Sequence, residues 1–187
     1  MRHVISALVM NEPGVLARVA GMFSARGFNI DSLVVGRTEK AELSRMTIVV
    51  TADDNTLDQV RKQLAKLVEI VAVHDFQSSA YIERDLALLT VTIPSGRRTE
   101  VIEVVNLFRA KIVDIAPESL IVELAGTEEK IEAFVELMRP YGIKELARTG
   151  VIAMVRGMQP VKETGTKSEG RRPRSLKAAT GAALPPS

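Results

Sequence analysis

Two spacings of apolar residues take turns along this chain. Val4-Ile5-Ser6-Ala7-Leu8-Val9-Met10 is a nearly unbroken apolar run, and residues 2–10 read as a buried strand. From about Pro13 to Arg26 the period lengthens to that of a helix, with Val15, Leu16, Val19, Met22 and Phe23 in one stripe. Gly27 stands where a C′ glycine closes a helix. Ile30 to Gly36 returns to the strand pattern, and Arg37-Thr38-Glu39-Lys40 turns the chain. Ser44 to Thr51 is a third strand, with Met46, Ile48 and Val50 on one face and Arg45, Thr47 and Val49 on the other. Asp53-Asp54-Asn55-Thr56 caps a second helix striped by Leu57, Val60, Leu64 and Leu67, and Ile70 to Phe76 makes a fourth strand.

This order, β-α-β-β-α-β, is that of a ferredoxin-like unit over residues 1–78. Right-handed crossovers put both helices on one face of a four-stranded antiparallel sheet. The other face is then expected to be bare, and in so apolar a chain a bare face calls for a partner. The pattern repeats over residues 79–157. Leu86 to Ile93, Ile112 to Ala116 and Leu120 to Leu124 are strands, Thr99 to Ala110 and Thr127 to Met138 are helices, and strand material runs from Ile143 through Gly150 to Val155. The inward residues of these helices are Val101, Ile102, Val105 and Phe108, then Ile131, Phe134, Val135 and Met138. The fold class is α+β: two tandem ferredoxin-like units. Beyond Gly157 small, polar and basic residues dominate, and residues 158–187 read as a disordered tail.

Charge sharpens this division. The chain has a formal net charge of +2, but Lys162, Lys167, Arg171, Arg172, Arg174 and Lys177 outweigh Glu163 and Glu169 in the tail and leave the body at −2. The folded part therefore gives no sign of nucleic-acid binding. An RNA-recognition surface would also need aromatic residues on the central strands, and those strands have none. The 187 residues are 46% hydrophobic, with no run long enough to span a membrane, no signal-peptide pattern and no cysteine. These features point to a cytoplasmic protein with no membrane association.

Candidate chemistry is sparse. His3 and His74, the only histidines, sit on strands that are neighbours in this topology, but two histidines without carboxylates make a poor metal site. No Walker loop, dinucleotide fingerprint or nucleophile elbow occurs, and the acidic residues fall mainly on helix surfaces. The chain shows no catalytic constellation. The one suggestive stretch is Asn11-Glu12-Pro13-Gly14-Val15-Leu16, at the first strand–helix junction. Pro13 suits the first helical turn, Gly14 leaves the backbone bare, and the amides of Val15 and Leu16 are orphan donors suited to a carboxylate. A plain strand-to-helix turn accounts for the same residues.

With the β-α-β-β-α-β order in place, this hexapeptide makes residues 1–78 resemble an ACT domain, the small-molecule sensor of amino-acid metabolism. Four further segments extend the resemblance over residues 1–157, to the regulatory small subunits of acetolactate synthase. They are Phe23–Leu33, Leu43–Ile48, Gln63–Leu67 and Ala147-Arg148-Thr149-Gly150-Val151. The resemblance implies an ACT domain at 1–78, an ACT-like domain at 79–157, and a non-catalytic subunit. That subunit would activate a large thiamine-diphosphate-dependent catalytic subunit, which would hold thiamine diphosphate, Mg and FAD, with no cofactor in this chain. It implies feedback inhibition by L-valine in branched-chain amino-acid biosynthesis and a homodimer formed through the ACT domains. Carried over by position, Asn11, Gly14, Val15 and Leu16 of one chain and Asn29 and Ile30 of its neighbour bind the effector.

The residue types agree. The amides suit a carboxylate, the Asn11 and Asn29 oxygens suit an ammonium, and Val15, Leu16 and Ile30 can line an apolar pocket. One methylene in such a pocket discriminates by only ~1–3 kcal/mol, so leucine and isoleucine are also expected to bind. Arg45, beside the apolar third strand, is expected to serve either partner contact or the fold. The alternative function is a free-standing amino-acid sensor acting on another enzyme or on a gene regulator.

Overall fold

The computed structural model describes residues 1–157, apart from residues 78 and 95, so the tail lies outside the described residues. The first sheet is built from β1 (Arg2–Met10), β2 (Ser32–Arg37), β3 (Leu43–Thr51) and β4 (Ile70–Asp75), crossed by helices α1 (Val15–Ser24) and α2 (Asp54–Leu64). The second contains β5 (Tyr81–Thr92), β6 (Lys111–Ile115), β7 (Ser119–Gly126), β8 (Ile143–Arg148) and β9 (Ile152–Val155), with helices α3 (Arg98–Leu107) and α4 (Glu128–Met138). The strand orders are β2-β3-β1-β4 and β6-β7-β5-β8, with antiparallel neighbours throughout and β9 paired to β5. This is the α+β arrangement of two tandem ferredoxin-like units expected from the apolar pattern.

Strand parity decides what each sheet buries. In β1, Ile5, Ala7 and Val9 face α1 and α2 and meet Met46, Ile48 and Val50 of β3 in the first core. The helices bring Val15, Val19, Met22 and Phe23, then Leu57, Val60 and Leu64. The second core repeats the scheme with Ala87, Leu89 and Val91 of β5 against Val101 and Val105 of α3 and Ile131, Phe134, Val135 and Met138 of α4. Each of these large side chains adds about 1.5–3 kcal/mol on burial.

Helix α1 departs from expectation at its start. It begins at Val15, two residues later than the pattern suggested, and Pro13 lies in the turn ahead of the cap. The cap is Gly14, held at φ 86°. Leu16 leaves the stripe and stands 47% exposed, because Val15, Val19, Met22 and Phe23 already fill the arc that faces the sheet. Its end is as expected. Gly27 takes φ 68°, and the N–H groups of Phe28 and Gly27 donate to Phe23 O (3.0 Å) and Ser24 O (3.1 Å), the paired bonds of a Schellman motif. Phe23 and Phe28, 6.3 Å apart edge to face, make its hydrophobic contact. At the start of α2, Asp53 accepts from Thr56 N–H at 2.7 Å, as the capping pattern required.

The larger correction concerns the helix-free face of the first sheet. It is not wholly bare. The last strand material divides at Thr149–Gly150 into β8, which stays in the second sheet, and β9, which pairs with the first half of β5. The β5–β9 ribbon lies over one end of the first sheet. There Val151 and Ala153 pack with Val4, Val49 and Phe76 in a third cluster, flanked by Tyr81 and Val155. The expected strand from Leu86 is thus longer, beginning at Tyr81, and its added residues belong to this cover. Arg2 fastens the same end, with Nη1 3.1 Å from Glu83 Oε2 and Nε 2.7 Å from Glu128 Oε2. Burial tends to lower the Arg2 pKa, but the two carboxylates more than offset this, and it stands above the ordinary arginine value.

Candidate functional site

The strand–helix junction expected to bind an effector is held by four hydrogen bonds. Asn11 N–H donates to Glu42 O at 2.8 Å, and Asn11 Nδ2 donates to Ala41 O at 3.0 Å, tying the end of β1 to the β2–β3 hairpin. That use of the amide nitrogen leaves Asn11 Oδ1 available as an acceptor. Val15 N–H reaches back to Glu12 O at 3.4 Å, and Gly14 O accepts from Arg18 N–H at 3.0 Å. Leu16 and Ala17 N–H have no acceptor among the described residues, and no acidic residue occupies the first turn of α1. Two donors at the positive end of a helix dipole are thus unpaired beside a glycine with no side chain.

The side chain of Val15 is buried in the first core, so only its backbone, and not its isopropyl group, is presented at the junction. Leu16 is the apolar side chain the junction offers. Arg18 was not anticipated. Its Nη2 lies 4.0 Å from where a Cβ on Gly14 would stand, and Glu69 steadies it at 3.0 Å. The signal was one helical turn from Gly14, a position periodicity assigns to the solvent face.

Asn29 and Ile30 lie in the loop between α1 and β2. Asn29 Nδ2 donates to Asp31 Oδ1 at 2.6 Å, Asp31 N–H donates to Val49 O at 2.9 Å, and Ile30 rests partly buried on the first core. The register fixes their distance from the junction. Met10 at the end of β1 pairs with Leu43, whereas Ser32 at the start of β2 pairs with Val49. Six residues of β3 separate the two ends, about 20 Å at strand rise. Within one chain, Asn11, Gly14, Val15 and Leu16 come together, and Asn29 and Ile30 do not join them.

At the equivalent junction of the second unit two arginines take the place of Asn11 and the bare glycine. Arg98 Nη2 donates to Ala116 O at 3.0 Å and Pro117 O at 2.8 Å, the same tie to the following hairpin that Asn11 makes in the first unit. Arg97 stacks on Tyr141, 4.5 Å from the ring centre, and pairs with Glu100 at 2.7 Å.

A cavity of about 290 Å³ lies between the units, bordered by Asp31 and Ser32 on one side and Asp85, Arg148, Thr149 and Gly150 on the other. Asp85 is buried and accepts from Arg148 Nε (2.8 Å) and Nη2 (2.6 Å), Thr149 Oγ1 (3.1 Å) and Gly150 N–H (3.1 Å). Arg148 also reaches Glu132 at 2.5 Å. Burial pulls the Arg148 pKa down, and bonds to Asp85 and Glu132 hold it above its ordinary value. Each of these charges has its counter-charge, so this is a clasp rather than a reactive centre.

The histidines do not meet. His3 is buried on the helix side with Nε2 3.1 Å from Ala52 O, while His74 pairs with Ser6 on the opposite face. Among the described residues no three His, Cys, Asp or Glu side chains are grouped to hold a metal ion, and no helix is long and apolar enough to cross a membrane.

Comparison with known proteins gives a match for each unit. Residues 5–72 match the family model of the AHAS small subunit-like ACT domain, and residues 84–157 match that of the small subunit of acetolactate synthase. A probable acetolactate synthase small subunit of Archaeoglobus fulgidus is 57% identical over 157 residues, covering 84% of this chain and 98% of that protein. The acetolactate synthase small subunit of Mycolicibacterium smegmatis is 49% identical over 155 residues, covering 83% and 92%. The crystal structure of the small subunit from Thermotoga maritima superposes with a TM-score of 0.77 at 41% identity, covering 84% of this chain and 98% of that one. With both units matched in order, and with relatives of nearly the same folded length, the chain belongs to the acetolactate synthase small subunit family.

Proposed function

We propose that this chain is the non-catalytic regulatory subunit of an acetolactate synthase, activating the catalytic subunit and making it answer to L-valine in the cytoplasm. Thiamine diphosphate, Mg and FAD belong to the catalytic subunit in this reading. Valine lies between two copies of the chain, with Asn11, Gly14, the Val15 backbone and Leu16 from one and Asn29 and Ile30 from the other. The observation that carries the proposal is the separation just described: half of the site stands ready at the α1 N-terminus, and the other half stands at the far end of the same sheet. A second copy of the chain would bring the two halves together, which supports a shared site. The carboxylate takes the unpaired amides of Leu16 and Ala17 with Arg18 nearby, the ammonium takes Asn11 Oδ1, and the branched side chain meets Leu16 and Ile30.

Valine acts by favouring the subunit arrangement that binds it better, for which a coupling of ~1–3 kcal/mol is usual. A free-standing sensor is the second reading, favoured only if no large subunit copurifies. The test is a calorimetric titration of the chain with L-valine, run beside Gly14→Asp and Gly14→Asn. Both replacements tolerate positive φ better than other residues and differ by one charge. The expected result is saturable binding by the wild type and at least tenfold weaker binding by the Asp variant than by the Asn variant. Equal, wild-type binding by both would place the site elsewhere.

A further inference from the structure

The segment Ala147-Arg148-Thr149-Gly150-Val151 lies outside the proposed effector site, yet it bears directly on one half of it. Thr149, Gly150 and Val151 make the turn between β8 and β9, and the second unit fixes its shape. The buried Asp85 carboxylate gathers Arg148, the Thr149 hydroxyl and the Gly150 N–H. Thr149 N–H also donates to Leu86 O at 2.9 Å, and Leu86 N–H donates to Thr149 Oγ1 at 3.1 Å. A turn so fully bonded within its own unit has little freedom of its own.

This stiff turn presses on the first unit. Val151 N–H donates to Ser32 Oγ at 3.3 Å, and Ser32 and Val34 leave no room for a Cβ on Gly150. Ser32 is where the loop carrying Asn29 and Ile30 enters β2. The other end of that loop is anchored by the Schellman bonds of Gly27 and Phe28. Asn29, Ile30 and Asp31 alone lie between the two anchors, and Asn29 is tied to Asp31. The cavity between the units borders Asp31, so the loop has free volume on one side and a fixed stop on the other.

We propose that the Thr149–Val151 turn of the second unit positions the effector loop of the first, so that residues which never touch valine help set its affinity. Resting on the reading of Asn29 and Ile30 as half of the valine site, this assignment makes Gly150 and Ser32 positioning residues. A loop already held in its binding conformation has less freedom to lose when the ligand arrives. Linkage works in both directions: valine, by fixing the loop, tightens the contact between Val151 and Ser32. The second unit thereby senses whether the effector site of the first is filled.

The test titrates the full-length chain with L-valine by calorimetry, for wild type, Ser32→Ala, Gly150→Ala and Gly142→Ala, and follows amide hydrogen exchange with and without valine. Gly142→Ala is the control. Gly142 holds φ 96° at the other end of β5, beside Thr92, where a Cβ would make ordinary contact. Expected are losses of valine affinity of roughly fivefold or more in Ser32→Ala and Gly150→Ala. The control should keep wild-type affinity despite its strained backbone, and Val151 N–H should exchange more slowly when valine is bound. Ser32→Ala removes only a hydroxyl and keeps the result readable if Gly150→Ala fails to fold. Wild-type affinity in the variants that fold would overturn the proposal. So would an equal loss in Gly142→Ala, which would mean general loosening, or exchange at Val151 that ignores valine. A wild-type chain that binds no valine would refute the effector reading and this proposal together, whereas wild-type binding without these losses would refute the proposal alone.

Discussion

Gly150 and Ser32 approach so closely that a Cβ on Gly150 would lie 2.5 Å from Ser32 Oγ. The same atom would fall 2.9 Å from Val34 Cγ2, and Gly150 holds φ 87°. The turn between β8 and β9 therefore has two reasons to be glycine. Gly150→Ala is expected to lose about 1–2 kcal/mol to the left-handed backbone and a further ~1–3 kcal/mol to overpacking. Urea unfolding of the purified variant measures the sum.

Gly21 is the opposite case. It lies within α1, and a Cβ there meets nothing within 4 Å. Gly21→Ala should raise stability by about 0.5–1 kcal/mol through a less flexible unfolded chain and better helix propensity. Thermal unfolding should show a higher midpoint.

Asp85→Asn keeps the size of the buried side chain and removes its charge. Arg148 is then left with Glu132, which is half exposed and a weaker counter-ion. Breaking a buried pair from one side costs about 3–5 kcal/mol, and denaturant unfolding should register a loss on that scale.

The cap of α2 makes stability depend on pH. The bond from Thr56 holds the Asp53 pKa below the ordinary aspartate value, so the unfolded chain takes up a proton first as pH falls. The contribution is complete above the unfolded-state pKa and is lost as pH drops through the lower, folded one. Asp53→Asn keeps a capping oxygen and should remove this part of the acid dependence, read as the difference between stability curves from neutral pH to about pH 3.

If the effector site is shared between copies, damaged halves should complement. Gly14→Asp and Asn29→Ala chains each lack one half of every site, yet a mixed dimer has one site with both halves intact. Coexpression should restore about a quarter of the valine sites, counted by titration. No recovery would mean that these residues do not form one site shared between two chains.

The cores were legible because they depend on local period. Leu57, Val60 and Leu64 follow one helical stripe, and Met46, Ile48 and Val50 follow strand parity; each landed where the pattern put it. What escaped was decided by distant parts of the chain. Ile152–Val155 has a strand pattern that says nothing about which neighbour it joins, and the neighbour is the early half of β5 rather than a continuation of β8. Parity could have separated His3 from His74, since His74 pairs with Ser6 and Ser6 faces away from His3. Leu16 fits a helical stripe on paper, but four nearer side chains had already filled the space. The left-handed cap at Gly14 has no signature beyond the glycine itself.

The β5–β9 ribbon sets an order of events during synthesis. The first sheet is made early, yet the residues that shelter Val4, Val49 and Phe76 on its far side are Val151 and Ala153, near the end of the described chain. A nascent first unit can close its helix-side core as soon as β4 emerges, but it must wait for almost all of the second unit before that far side is dry. Cutting the gene between the two units would consequently yield a first half that is sticky, however complete its own sheet.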